Sequence, residues 1–352
     1  MDRINVGIIG TGWCGGIRAV ASFANPLVAD IHIAETNETR LREVEAATHP
    51  VTATNDYRVL LDNPDIHAVM ISATPETTHY PIARDAMNAG KHVFLEKPIA
   101  ITLAEADELV ALSHEKNVKF TIGYSQRFNP KYAYIKRCLE DGTLGEPVSA
   151  LVSRHITRSL GDKISGRVKL SPAAMEATHD LDFVLWCLEP AKPIRIYAQN
   201  VYKVMKEKNG APDCTWIIVT MDNGVSFTIG AGWILPPGYP NYSATTLEMV
   251  GTNGALLIDD THRDVVLNTM DKGIQFPMSS MPGESVGHVY AGPMAGETHH
   301  FIDAVALDKP VLVTPEQARK VMEVYIAADL SAERNEPVTL PLNDADISSM
   351  SA

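Results

Sequence analysis

Three groups of residues in this chain have the types and spacing to do chemistry. They are the glycine cluster Gly10-Thr11-Gly12-Trp13-Cys14-Gly15, the lysine of Glu96-Lys97-Pro98, and the histidine of Glu176-Ala177-Thr178-His179-Asp180-Leu181-Asp182. The glycines follow an apolar run, Ile4 to Ile9, and open a helical stretch. In that setting Gly10 permits a tight turn, Gly12 lets the backbone approach a pyrophosphate, and Gly15 lets strand and helix pack closely, with the phosphates at the helix N-terminus. The stretch reads as a dinucleotide-binding loop. Glu35 closes the next apolar run, Ile31-His32-Ile33-Ala34. A carboxylate there accepts hydrogen bonds from the adenosine ribose hydroxyls and repels a 2′-phosphate, so NAD is favoured over NADP. Arg40, one helical turn further on, reads as a solvated helix charge.

Lys97 ends a short apolar run, which places it at the carboxyl edge of a parallel sheet, where open α/β folds bind ligands. By itself it would read as an exposed loop lysine. His179 lies in a helical stretch. At about 100° per residue, Met175, His179, Asp182 and Trp186 share one face within about 60°, whereas Glu176 lies about 60° from His179 and 120° from Asp182. Asp180 and Asp182 point in different directions, so the three side chains do not converge and no metal is expected. His299 and His300, being adjacent, point apart.

These side chains need a scaffold. Apolar runs at Ile4 to Ile9, Ala29 to Ala34, Val51 to Ala53, Ala68 to Ser72, His92 to Leu95 and Lys119 to Ile122 alternate with amphipathic stretches such as Glu38 to Ala47 and Thr78 to Ala89. The alternation predicts parallel strands joined by crossover helices. Thr102-Leu103-Ala104-Glu105 predicts a capping box heading a further helix. Beyond Gly123 the pattern changes: a helix from Pro130 to Leu139, then strand-like runs separated by Asp222-Asn223-Gly224 and Thr252-Asn253-Gly254, which signal hairpins. The reading is a doubly wound α/β dinucleotide-binding domain over 1–123 and an α+β domain with a mostly antiparallel sheet over 124–352. Asp271 to Pro293 reads as a long loop, and Trp233 and Tyr239 beside Pro236-Pro237-Gly238 as a sugar-stacking pair or an edge loop.

Composition narrows the function. The chain has 352 residues, with 30 Lys+Arg against 43 Asp+Glu for a formal charge of -13. That balance argues against nucleic acid or an anionic membrane surface as partner, since both call for a basic face. No apolar run approaches the roughly 18 residues that span a bilayer, and the start lacks the pattern of a signal peptide. Cys14, Cys138, Cys187 and Cys214 are far apart and read as reduced thiols, so a cytoplasmic protein is expected.

Taken together, these motifs resemble the glucose-fructose oxidoreductase, inositol dehydrogenase and rhizopine catabolism (Gfo/Idh/MocA) family of sugar and polyol dehydrogenases. The resemblance spans nearly the whole chain and rests on Gly10 to Gly15, Ala73-Thr74-Pro75 with His79, Glu96-Lys97-Pro98, Gly123 to Pro130 with Arg127 and Phe128, and His179 with Asp182. It implies a Rossmann domain, a second domain with a large open sheet often used for oligomerisation, and a nicotinamide cofactor. It also implies that Lys97 positions the cofactor and bonds the reacting hydroxyl, that His179 is the acid/base, and that Asp182 and Arg127 contact the substrate. Thr74, Pro75, His79 and Glu96 would lie by the cofactor. Many members carry a carboxylate four residues before the histidine, where this chain has Met175, with Glu176 next to it. Glu176 then either serves the substrate site by orienting His179 from the side, or the substrate lacks the hydroxyl such a carboxylate would bind.

The expected activity is reversible hydride transfer between nicotinamide and a secondary hydroxyl of a sugar, inositol or related polyol. The rivals are an NAD-retaining, redox-assisted glycosidase and a non-catalytic NAD(P)-binding sensor. The expected protein partner is a second copy, in a dimer or tetramer built through the antiparallel sheet.

Overall fold

The computed structural model describes residues 3–166, 169–236, 239, 243–261, 265–275, 284–287 and 289–349. The chain divides into two compact units, Met1–Phe128 with Ser280–Arg319, and Asn129–Ser279 with Lys320–Ala352.

The first unit holds a parallel six-stranded sheet of β1 (Ile4–Ile9), β2 (Val28–Ala34), β3 (Thr52–Thr54), β4 (Ala68–Ile71), β5 (His92–Leu95) and β6 (Phe120–Ile122), in the order β3-β2-β1-β4-β5-β6. Both faces are covered by helices, so the strands are nearly continuous apolar runs rather than alternating ones. Helices span Trp13–Phe23, Glu38–Thr48, His79–Asn88 and Leu103–Glu115. The last starts with the expected capping box: the Thr102 side chain accepts from Glu105 N, and the Glu105 carboxylate accepts from Thr102 N. A helix from much later in the chain, Pro293–Ala306, lays Phe301 and Ile302 into the core formed by Ile4, Val6, Ile8, Met70 and Phe94. The order reverses between β1 and β4, and the loops after β1, β2, β4 and β5 all leave the carboxyl edge of the sheet, where ligands bind in such folds.

The second unit is built on a seven-stranded sheet. Its strands are β7 (Pro147–Thr157), β8 (Pro193–Val201), β9 (Cys214–Met221), β10 (Ser226–Leu235), β11 (Ser243–Gly251) and β12 (Ala255–Asp259), joined by a short edge strand, Val338–Thr339. Only β7 and β10 pair in parallel; the other pairs are antiparallel. The two Asn-Gly turns join β9 to β10 and β11 to β12, as the sequence predicts. Side chains alternate: Val152, Ile217, Val219, Ile229, Leu247 and Met249 are buried, while the other face stays accessible. The parallel doubly wound sheet followed by a mostly antiparallel one bears out the expected fold class. The expected long loop over Asp271 to Pro293 is corrected in part: Leu267–Thr269 pairs with Gly273–Gln275, and Glu284–Val286 with Val289–Ala291. Residues 276–283 of that loop lie outside the described residues. Among the described residues no helix is long and apolar enough to cross a membrane.

Candidate active site

The glycine loop connects β1 to the helix Trp13–Phe23. Gly10 has φ +78°, and a Cβ there would come within 2.7 Å of the Ala73 backbone. At Gly15 an added Cβ would lie 1.9 Å from Gly10 O, so the helix crosses the strand end at backbone distance. Above Gly12 a Cβ would meet nothing within 4 Å, which leaves the space over the loop to a ligand. The helix has neither a side-chain cap nor an acidic residue in its first turn, so no side chain of its own occupies the amides that a phosphate would take. A pyrophosphate fits this cradle, with Thr11, Trp13 and Cys14 around it. We expect Gly15→Ala to weaken NADH binding about 100-fold, roughly 2.7 kcal/mol, in a fluorescence titration, because backbone rather than a side chain must move.

Glu35 stands at the end of β2. Its Oε2 accepts from Thr11 N at 2.6 Å and Thr11 Oγ1 at 3.1 Å, and its Oε1 accepts from Asn37 N at 2.9 Å. The carboxylate is thus held beside the glycine loop, where a ribose would come. Arg40 is not simply solvated: its Nε donates to Thr11 O at 2.5 Å, and it pairs with Glu43 at 2.9 Å.

Lys97 is half-buried just past β5. The preceding Glu96 is an ion-pair partner of the fully buried Arg18. His79 is buried, with Nδ1 2.7 Å from Pro98 O and Nε2 3.1 Å from Ala73 O. Burial pulls its pKa below the ordinary value. The neutral ring donates through one nitrogen, and we assign the proton to Nδ1, which has the closer acceptor. His79 therefore ties the start of its helix to the Lys97-Pro98 turn, while Thr74 and Pro75 lie exposed on the loop after β4. Arg127 is buried, its Nη1 donating to Leu312 O at 3.0 Å and Gln317 Oε1 at 2.8 Å.

In the second unit His179 is half-buried in the first turn of the helix Thr178–Leu188, directly after a π-helical turn, Ala173–Ala177. The i→i+5 turn places more residues in each turn than the 100° projection assumes. Glu176 and Asp180, one turn apart, both act on Arg154, which binds Asp180 through Nε at 2.6 Å and Nη2 at 2.8 Å. Burial opposes the Arg154 charge, and Asp180 more than offsets it, so the guanidinium pKa is raised. Glu176 thus shares an electrostatic cluster with Asp180. Asp182 is fully buried.

Met175, at the position where the family resemblance led us to expect a carboxylate, belongs to an apolar cluster with Ile156, Met205 and Trp233. Replacing Met175 by Asp should therefore cost stability of about 4 kcal/mol near pH 8. The introduced carboxyl would have a raised folded-state pKa, so the loss should shrink as pH falls toward about 5, which thermal melts across pH would show.

Trp233 neither stacks on a ligand nor lies in an edge loop: it is fully buried, with Nε1 donating to Pro212 O at 2.7 Å. Pro237 and Gly238 lie outside the described residues, and Tyr239 is half-buried. His299 and His300 point apart as expected, one to Asn25 Nδ2 at 2.9 Å and the other accepting from Leu312 N at 2.9 Å. Sequence reasoning missed Arg18, Glu297 and Arg154. A buried charge has no periodicity of its own, and the only signal was an Arg inside the apolar stretch after the glycine loop.

Residues 4–124 match an oxidoreductase family described by its NAD-binding Rossmann fold, and residues 132–257 match the GFO/IDH/MocA C-terminal domain. The chain is 25% identical to myo-inositol 2-dehydrogenase of Thermotoga maritima, over 96% of this chain and 98% of the relative. It is 27% identical to scyllo-inositol 2-dehydrogenase (NAD(+)) of Bacillus subtilis, over 81% of each. Its fold is similar to that of scyllo-inositol dehydrogenase from Lactobacillus casei with bound NAD(H) and scyllo-inositol, with a TM-score of 0.82 and 21% identity over 96% of this chain and 99% of the other. The sequence motifs, the strand order and both matched regions lead to one conclusion: the chain belongs to the Gfo/Idh/MocA family of oxidoreductases.

Proposed function

We propose that this protein is an NAD-dependent dehydrogenase that oxidises a secondary hydroxyl of a sugar, inositol or related polyol. The observation that carries the reading is the gathering of Gly10 to Gly15, Glu35 and Lys97 at the carboxyl edge of one parallel sheet. The relatives named as inositol dehydrogenases, one of them with NAD(+) in its name, support the substrate class. When bound, the nicotinamide supplies the hydride acceptor. Lys97 stabilises the negative charge that develops on the hydroxyl oxygen, and His179 accepts the hydroxyl proton. Asp182, Arg127 and Glu176, all buried, serve the polyol site from behind the side chains that line it.

A screen of sugars and inositols with NAD and NADP, followed at the nicotinamide absorbance, tests this. Net NADH formation with at least one polyol, faster than with NADP, is expected. Glycoside cleavage without net NADH would favour the redox-assisted glycosidase. Binding without turnover, with cofactor-dependent assembly, would favour the sensor.

The accessible face of the second unit's sheet supports self-association. Across the strands Leu257, Glu248, Leu151, Thr228, Ile218 and Tyr197 form one register row. Its Leu151, Ile218, Tyr197 and Leu257 are exposed, and so is Trp216 on the same face. An apolar row of this kind fits an isologous contact with a second copy, and sedimentation gives the stoichiometry. The four free cysteines fit a reducing, cytoplasmic compartment.

A further inference from the structure

We propose that Arg18 and Glu297 are positioning residues for Lys97, acting through Glu96. The proposal rests on the reading that Lys97 bonds the reacting oxygen. Arg18 lies on the helix that begins at the glycine loop and is fully buried. Its guanidinium lies 3.9 Å from the centroid of the Phe94 ring, and Nη1 donates to Thr298 Oγ1 at 3.1 Å. Nη2 donates to two carboxylates, Glu96 Oε1 and, at 2.7 Å, Glu297 Oε1. Glu96 has little freedom to move otherwise. Its backbone N–H donates to Ile71 O at 2.9 Å, and a Cβ added at Gly123 would lie 3.0 Å from Glu96 Oε2.

The cluster ties together three elements: the helix whose N-terminus cradles the phosphates, the strand end that carries Lys97, and the helix Pro293–Ala306. The Cys14 thiol, held up at about 12 by burial first and Glu96 next, also feels Arg18 and Lys97, so the ammonium lies within electrostatic reach of the cluster. The thiol stays neutral and adds no charge.

As a prop for the fold alone this arrangement is poor. One buried cation serves two carboxylates, and an apolar trio of similar volume would fill the space at lower desolvation cost. Burial first, and the Glu96 charge with it, raise the Glu297 pKa against the pull of Arg18, so holding the second carboxylate here carries an electrostatic cost. What charged groups offer that apolar ones do not is direction. Hydrogen bonds from one guanidinium fix Glu96, and with it the backbone entering Lys97, at a set distance from the phosphate loop.

Full-length Glu297→Gln, Arg18→Met, Arg18→Lys and Lys97→Met test this. The readouts are melting temperature, NADH affinity, amide hydrogen exchange at Glu96 and Lys97 in the cofactor-free protein, and kinetics with the best polyol of the screen. Glu297→Gln should fold, bind NADH within about threefold of the parent, exchange faster at those amides, and lose about tenfold in kcat with KM nearly unchanged. Arg18→Met should lose about 100-fold in kcat, with Arg18→Lys recovering part of it. If Arg18→Met does not fold, Glu297→Gln decides. A lower melting temperature with parental exchange and kcat in Glu297→Gln would make the cluster a mere support and overturn the proposal. Loss of turnover in Lys97→Met alone would likewise overturn it while keeping the function; retained turnover in Lys97→Met would instead overturn the role of Lys97 itself.

Discussion

Lys97→Met is expected to lower kcat by at least about a thousandfold while NADH affinity stays within a few-fold. The methionine keeps the bulk and the apolar stem but cannot donate to an oxygen that becomes negative as hydride leaves the neighbouring carbon. An interaction that matters mainly in the transition state appears in kcat rather than in ground-state binding. Lys97 stands on the first unit's sheet edge, and Glu96 beside it keeps Arg18 as its ion-pair partner when the lysine is replaced. The substitution should therefore leave the melting temperature close to that of the parent. Stopped-flow kinetics and a fluorescence titration separate the two quantities, and undiminished turnover would remove Lys97 from the chemistry.

The second large effect is on stability. Asp180→Ala should cost about 3–5 kcal/mol, because it strands the Arg154 guanidinium away from water. For a unit of this size the shift is on the order of 10 °C in Tm. Arg154 and Asp180 have side chains 3% and 0% exposed, so solvent cannot replace the lost bonds. Replacing both partners with apolar residues of similar volume, Arg154→Met with Asp180→Leu, should restore part of the loss, since the guanidinium is no longer stranded while the buried Glu176 loses the cation that acts on it. A double-mutant cycle by thermal melts reads the coupling directly. If Asp180→Ala alone melts within 2 °C or so of the parent, where about 6 °C is the least expected, the pair contributes little to the fold.

Much of the nucleotide-binding unit was legible in the residues because its rules are local. A strand must be apolar to be buried on both faces, a tight turn into a helix needs glycine, and a carboxylate at the end of β2 has few other uses. The start of the helix at Leu103 followed from two hydroxyl and carboxylate positions three residues apart. The helix around His179 was harder. A projection at a constant angle per residue cannot foresee that Ala173–Ala177 winds as a π-turn. That turn is held in place by packing around Met175 and Trp233, contacts made with residues from β7 and the helix Val204–Asn209. Trp233 misled for a related reason: an aromatic beside prolines looks like a loop residue until the strand carrying it is known to be central.

The sequence by itself determined most of the elements and the dinucleotide loop, and it marked out the candidate reactive side chains, because strands, turns and helix starts depend on residues within one turn or one strand. Tertiary structure alone decided which distant charges meet. Glu297 reaches Arg18 across 279 positions and Arg154 reaches Asp180 across 26. Such pairs leave no pattern along the chain, since a buried ion pair is specified by where two elements pack and by the cost of leaving either charge alone. The return of Phe301 and Ile302 to the first unit's core follows the same logic: their apolar character was plain, but which sheet they cover depends on the path of the whole chain.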